Sequence, residues 1–244
     1  NFGEDLIINA RNGGIFYWDK STNASDFLPA VAISNLSGAD STTPTIAKQV
    51  LVSDRDRHII AFGCDPEGAG AGEQDPLLIR FADQGSLTDW ASTATNTAGD
   101  LRLSKGSEII TAIQTSRQIL VWTDQSLYSM QFIGPPLTFA INLINEGSGL
   151  IGPKASVHAE GGIFFASKTG FHRYSGSVQP VPCSVQEYIF SDLDFSQAYK
   201  CFMGSNSEFN EIWFYYPSMA DNTGEVSRYA IYNYVEQTWS IGSL

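Results

Sequence analysis

The chain has 244 residues, of which 43% are hydrophobic, 12% aromatic and only 16% charged, against about 25% charged in an average globular domain. With 26 acidic residues and 14 basic ones, the formal net charge of −12 excludes nucleic-acid binding through phosphates, which needs a surplus of Lys and Arg. An acidic wall past which DNA slides stays compatible with that charge, because it repels phosphate.

Three cysteines, Cys64, Cys183 and Cys201, are odd in number and lie in no C-x-x-C pattern. They predict free thiols and assembly in a reducing compartment rather than a disulfide framework. No apolar run approaches the ~20 residues that span a bilayer, so no membrane span is expected, and no signal peptide is evident. The chain begins at Asn1 with residues that already read as strand, from which a fragment of a longer protein, or a processed one, is expected.

Along the chain, short apolar runs bounded by Gly, Asn, Asp and Ser replace helical periodicity, which predicts strands and turns. Gly13-Gly-Ile-Phe-Tyr-Trp18 reads as the first arm of a hairpin. Residues 34–45 and 65–76 read as polar connections, the second a flexible surface loop carrying Gly68-Ala-Gly-Ala-Gly72. Ile119-Leu-Val-Trp-Thr-Asp-Gln-Ser-Leu-Tyr128 is a full hairpin turning at residues 123–125, and residues 161–174 repeat it with a turn at 167–170. One short helix is predicted over residues 185–190. Glu211-Ile-Trp-Phe-Tyr-Tyr216 and Arg228-Tyr-Ala-Ile-Tyr-Asn-Tyr234 are the arms of a longer hairpin joined by residues 217–227. The units recur roughly every 45 residues, the spacing of four-stranded propeller blades. The expectation is an all-β, β-propeller-like domain over residues 1–244, with about five blades by that repeat length and at most one or two short helices.

Motifs that could carry chemistry each lack a necessary part. Gly147-Ser-Gly-Leu-Ile-Gly152 matches the dinucleotide fingerprint, but Pro153 follows and no helix ensues to hold a pyrophosphate. It reads as a glycine-rich connection. His158-Ala-Glu160 with Pro182-Cys183 is half of a zinc deaminase signature, and Gln186 stands where the second cysteine belongs. His172 lies inside an aromatic hairpin strand and reads as a packing residue, His58 sits at a strand start, and no nucleophile elbow occurs in the chain. The carboxylate pairs Asp54/Asp56, Asp192/Asp194 and Glu208/Glu211 read as turn acids, although a glycosidase also needs two carboxylates. Asp83-Gln-Gly85 faintly matches a sialidase Asp-box, with Trp90 two residues too far along. Asn23-Ala-Ser25 and Asn35-Leu-Ser37 are glycosylation sequons with no secretory context. The aromatic arms read chiefly as blade core, and secondarily as sugar-stacking platforms. No catalytic, cofactor or metal residue is expected.

A longer series of motifs carries more. It runs from Leu78-Ile-Arg-Phe-Ala-Asp-Gln-Gly-Ser-Leu-Thr-Asp-Trp90 through Ala98-Gly-Asp-Leu-Arg-Leu-Ser-Lys-Gly-Ser-Glu-Ile-Ile110, the residue 119–128 hairpin and Met130-Gln-Phe-Ile-Gly-Pro-Pro136. Gly149-Leu-Ile-Gly-Pro-Lys-Ala155, Gly170-Phe-His-Arg-Tyr-Ser-Gly176 and Val181-Pro-Cys-Ser-Val-Gln-Glu-Tyr-Ile-Phe190 follow. Asn210-Glu-Ile-Trp-Phe-Tyr-Tyr-Pro217 and Tyr232-Asn-Tyr-Val-Glu-Gln-Thr-Trp-Ser-Ile-Gly242 close it. In order and spacing this series resembles the tail nozzle, or DNA-stabilisation, proteins of short-tailed bacteriophages, over most of the chain. The resemblance implies a β-propeller-like domain with appended β-domains, and a homohexameric ring at the distal end of a phage tail. It implies tail adaptor and portal proteins and tail fibres or spikes as partners, and double-stranded DNA passing through the channel without specific binding. It implies a structural role, retaining the packaged genome and guiding its ejection, in a virion assembled in the host bacterial cytoplasm, with no enzyme activity and no site residues to carry over. The chain is shorter than typical family members. A carbohydrate-binding or glycoside-hydrolase-type propeller is the alternative reading.

Overall fold

The computed structural model of the protein describes residues 2–22, 28–53, 55–70 and 72–244. It is all-β and propeller-like, with nineteen strands in five antiparallel sheets among the described residues. The first sheet has three strands, β1 (Leu6–Asn9), β2 (Ile15–Trp18) and β3 (Val31–Ala32). The other four are four-stranded meanders in which each strand pairs with the next in sequence. They are β4 (Ala47–Val52), β5 (Ile59–Cys64), β6 (Leu78–Phe81) and β7 (Gly99–Arg102); β8 (Ile109–Gln114), β9 (Ile119–Thr123), β10 (Ser126–Gly134) and β11 (Thr138–Glu146); β12 (Ser156–Ala159), β13 (Gly162–Ala166), β14 (Phe171–Tyr174) and β15 (Val178–Val181); and β16 (Phe202–Asn206), β17 (Glu211–Pro217), β18 (Val226–Asn233) and β19 (Thr238–Ser243). The expected hairpins at residues 119–128, 161–174 and 211–234 are β9–β10, β13–β14 and β17–β18. Blades that open at Ile109, Ser156 and Phe202 keep the expected repeat, whereas the blade opening at Ala47 is lengthened by the connections before β6 and β7. The expected helix is α1 (Gln186–Asp192), and short 3-10 turns cover Ile33–Asn35 and Phe195–Lys200.

The chain forms two compact units, residues 1–123 with 128–142, and residues 124–127 with 143–244. In the first unit β5 is buried along its whole length. Its alternate side chains serve two interiors, because successive strand residues point to opposite faces. Ile60 and Phe62 join Ile79, Phe81, Leu103, Val121, Met130 and Phe139. Ile59 and Ala61 join Ile15, Ile33, Leu78 and Trp90, and Cys64 joins them because Gly63, at φ +57°, breaks the alternation. A sheet covered on both faces reads in sequence as an unbroken apolar run rather than an alternation, which is what Ile59-Ile-Ala-Phe-Gly-Cys64 is.

Charges are also buried here. Arg80 is 3% exposed and donates to the carbonyls of Asp65, Thr42 and Trp90. The Asp65 carboxylate accepts from Thr45 N (2.9 Å), Thr45 Oγ1 (2.7 Å) and Ile46 N (3.3 Å). Asp75 N donates to Cys64 O at 3.0 Å. The connection over residues 65–76 is therefore pinned at both ends by hydrogen bonds.

The second unit is filled with rings. Phe171 lies edge-on to Phe214 (centroids 5.2 Å apart) and against Trp239 (4.7 Å), and Trp239 packs on Tyr232 (4.8 Å). Ring pairs of this kind add about 0.5–1.5 kcal/mol beyond their area. α1 buries Ile189 and sets Phe190 against Phe171 at 5.5 Å.

Candidate functional site

The structure disperses the sequence motifs into structural tasks. The glycines of residues 147–152 lie in the connection from β11 to β12, with no helix after them. Gly147 has φ +89°, and its N–H donates to Gln125 O at 2.8 Å. A Cβ at Gly149 would collide with the backbone of Asp124 and Gln125, and one at Gly152 with the Ala198 carbonyl. Close backbone approach, not a phosphate, requires glycine there.

His158 is exposed on β12 and Cys183 follows β15. Among the described residues no three His, Cys, Asp or Glu side chains gather around a metal position. Glu160 pairs with Arg173 at 3.3 Å. Burial pushes the Cys64 and Cys201 thiols up to about 12 and Cys183 to about 11, so they stay protonated and poorly nucleophilic. His172 stacks on Phe165 at 5.2 Å, and burial lowers its pKa. His58 is wholly buried, with Nδ1 donating to Ala82 O at 2.8 Å.

The carboxylates are held in turns. Asp192 accepts from Ser218 Oγ (2.8 Å) and Ala220 N (3.2 Å), and Asp194 from Ser196 N (2.9 Å). Asp56 bonds Ser53 Oγ at 3.3 Å, while Asp54 lies outside the described residues. Asp83 accepts from Thr97 N and Oγ1 (2.8 and 2.6 Å), and Trp90 is buried with Nε1 donating to Leu87 O. Asn35 is exposed at the end of the first 3-10 turn, and the Asn23 sequon lies outside the described residues.

What the structure does assemble is an aromatic face on the fifth sheet. Register fixes it. Phe202 pairs with Tyr215, Gly204 with Trp213, Tyr215 with Tyr229, and Tyr229 with Gly242. All of these lie on the face opposite to Ile212, Phe214 and Tyr216, which are buried. Phe202 stacks on Tyr215 at 4.5 Å, Trp213 on Tyr215 at 5.9 Å, and Trp213 lies 5.1 Å from Tyr229. The four rings remain half-buried. Trp213 Nε1 donates to Glu211 Oε2 at 3.0 Å, which orients the indole. Gly204 has nothing near its missing Cβ, so one flank of Trp213 is open. A depression of about 510 Å³ results, lined by residues 204–208, Trp213 and Tyr215. Tyr229 covers Gly242, where any side chain would collide with the phenol. The Gly204–Trp213 and Gly242–Tyr229 pairs were visible in the sequence only once register was known.

Two further apolar surfaces are exposed. On the first sheet, Leu6 and Ile8 share a face with Phe16 and Trp18 by register. At the β10–β11 turn, Ile133 is 52% and Leu137 69% exposed.

No family model and no curated protein matches this chain. Among solved structures, the extracellular domain of a B. thetaiotaomicron protein described as a one-component system superposes with a TM-score of 0.51 at 10% identity, covering 97% of this chain and 27% of that one. Apo AztD from Citrobacter koseri gives a TM-score of 0.40 at 9% identity, covering 96% of this chain and 69% of that one. The chain thus spans about a quarter of the length of the first of these. At 10% identity, the first likeness carries the fold and nothing more.

Proposed function

We propose that this chain is a non-enzymatic structural subunit of a short phage tail, a nozzle-type component of a homohexameric ring around the DNA-ejection channel. The ordered motif series from residue 78 to residue 242 supports the family reading. The observation that carries the structural role is the half-buried aromatic face of the fifth sheet, Phe202, Trp213, Tyr215 and Tyr229. Contiguous apolar surface of this kind marks an interface. Closed rings built head to tail need two different patches on each subunit. The face bearing Leu6, Ile8, Phe16 and Trp18 on a neighbouring copy is the proposed second patch. The exposed Ile133 and Leu137 at the β10–β11 turn are apolar contacts for a further tail protein. The net charge of −12 favours a channel wall from which DNA is repelled rather than held.

The test is the mass of the purified chain in solution across a concentration series, beside Trp213→Ser/Tyr215→Ser. Six-fold assembly by the native chain, and its loss in the variant with the circular dichroism spectrum unchanged, is the expected result. A native chain that stays monomeric at every concentration contradicts the proposal. The carbohydrate reading draws on the same rings, since Trp213 and Tyr215 border an open depression beside Asn206 and Glu208. A glycan array of the native chain beside Trp213→Ser/Tyr215→Ser separates the two, because glycan binding by a monomer that this variant loses belongs to the ring platform.

A further inference from the structure

A second concavity lies in the first unit and is built unlike the aromatic face. It encloses about 530 Å³, within the few-hundred to ~1,000 Å³ range of small-molecule sites. The β4–β5 turn supplies Ser53, Arg55 and Asp56 to one wall, and the β8–β9 turn supplies residues 114–118 to the other. Met130, Phe132 and Phe139, from β10 and β11, also line it.

Hydrogen bonds within it close the β8–β9 turn. Thr115 N and Oγ1 both donate to Gln118 O, at 2.8 and 2.7 Å, and Gln118 N donates back to Thr115 Oγ1 at 3.2 Å. Ser116 and Arg117 are thereby held at its tip. Gln131 Nε2 donates to Gln118 Oε1 at 2.9 Å and ties the turn to β10. Phe132 and Phe139 meet edge to face at 5.6 Å. His58 packs against both, at 5.7 and 5.2 Å, and its Nε2 is buried with no partner.

Charge separates this concavity from the rest of the molecule. Two of the 14 cationic side chains line it, and among the described residues neither Arg55 nor Arg117 has an ion-pair or side-chain hydrogen-bond partner. Arg57, the nearest other arginine in sequence, is engaged elsewhere, over the Phe2 ring. The single carboxylate among the described lining residues, Asp56, is bonded by Ser53 Oγ. Two guanidiniums against that one carboxylate, on a chain of net charge −12, form a locally positive site that attracts anions. Guanidinium is the group that pairs a carboxylate through two parallel hydrogen bonds. The Ser116 hydroxyl adds a hydrogen-bonding group, and Phe132, Phe139 and Met130 an apolar bed.

We infer that this cleft binds a carboxylated sugar residue, of the uronic acid type, with its carboxylate between Arg55 and Arg117 and the C–H face of its ring on Phe132. The inference stands apart from the tail reading, since a structural subunit and a monomeric binding module could each carry such a site. It differs in class from the glycosidase alternative, because the described lining residues include a single carboxylate, Asp56, where a glycosidase needs two.

The test is calorimetric titration of the purified chain with sodium glucuronate, glucose and inorganic phosphate. Saturable binding of glucuronate is expected, with glucose at least roughly tenfold weaker because it lacks the hydrogen bonds to a charged group, and phosphate weaker because it lacks the ring face that packs on Phe132. Arg55→Gln/Arg117→Gln should abolish the preference for glucuronate over glucose, Phe132→Ser should weaken both sugars, and Lys168→Gln, a charge change on an exposed turn of the second unit, should alter neither. Both arginines lie in exposed turns, so an unchanged melting temperature shows that the double variant folds. Phosphate binding as tight as glucuronate would make this an undiscriminating anion site. Equal binding of glucose would remove the arginines from recognition. No heat with any of the three would leave no site. Each of these results overturns the inference.

Discussion

The two units fill their sheets in different ways. The first interleaves aliphatic side chains with rings such as Phe62, Phe81 and Trp90, on strands buried on both faces, and admits charge to the interior in the form of Arg80 and Asp65. The second relies on rings, with Phe171, Phe214, Tyr232 and Trp239 in mutual contact, and among the described residues no Lys, Arg, Asp or Glu is classed as buried there. A buried charge tolerates only one arrangement of partners. A ring cluster depends on shape and loses stability in proportion to the volume removed. The interior with charges should therefore be sensitive to loss of a partner, and the aromatic interior to loss of size.

The largest effects test that contrast. Phe214→Ala should cost about 3–5 kcal/mol, whereas Phe214→Leu should cost less than half as much, read from denaturant unfolding. Arg80→Met should also cost about 3–5 kcal/mol despite its similar bulk, because three carbonyls lose their donor and each buried acceptor left unpaired costs about 1–3 kcal/mol. A neutral Arg80→Met would break the comparison by showing that the buried charges contribute nothing. Next comes Gly149→Ala, where the new methyl group meets the turn backbone at Asp124 and Gln125. A loss of about 3 kcal/mol is expected there, and an unchanged melting temperature would show that the connection shifts freely.

The smallest effect concerns pH. Hydrogen bonds from Arg228 (2.8 and 2.9 Å) and Ser227 hold Asp221 down from 3.8 to about 2. A depressed carboxylate pKa stabilises the fold above the unfolded value and loses that contribution as pH falls through the folded one. The melting temperature of the native chain should therefore fall more steeply between about pH 3.8 and about pH 2 than that of Asp221→Asn. Parallel curves would remove this pair from the account.

Much of the fold was legible. Hairpins with aromatic arms announce themselves because alternation and polar turns are local signals, and α1 follows from its short amphipathic run. The doubly covered β5 was harder to place, since an unbroken apolar run does not say which interior each side chain serves. The roles of Arg80 and Asp65 were not legible, because their partners Thr42, Thr45 and Trp90 are brought in by the fold and not by spacing. The same holds for both concavities. The aromatic face needs the register that sets Gly204 beside Trp213, and the cleft needs two hairpin turns far apart in sequence. The glycine-rich residues 147–152 were legible as a connection, because Pro153 rules out the helix a phosphate would need.

Cryo-electron microscopy of intact short-tailed particles, with the chain fitted to the density, tests the central claim most directly. The account predicts six copies around the distal tail channel, with the Trp213–Tyr215–Tyr229 face covered by a neighbouring subunit. Well-resolved tails without density for this chain would contradict it.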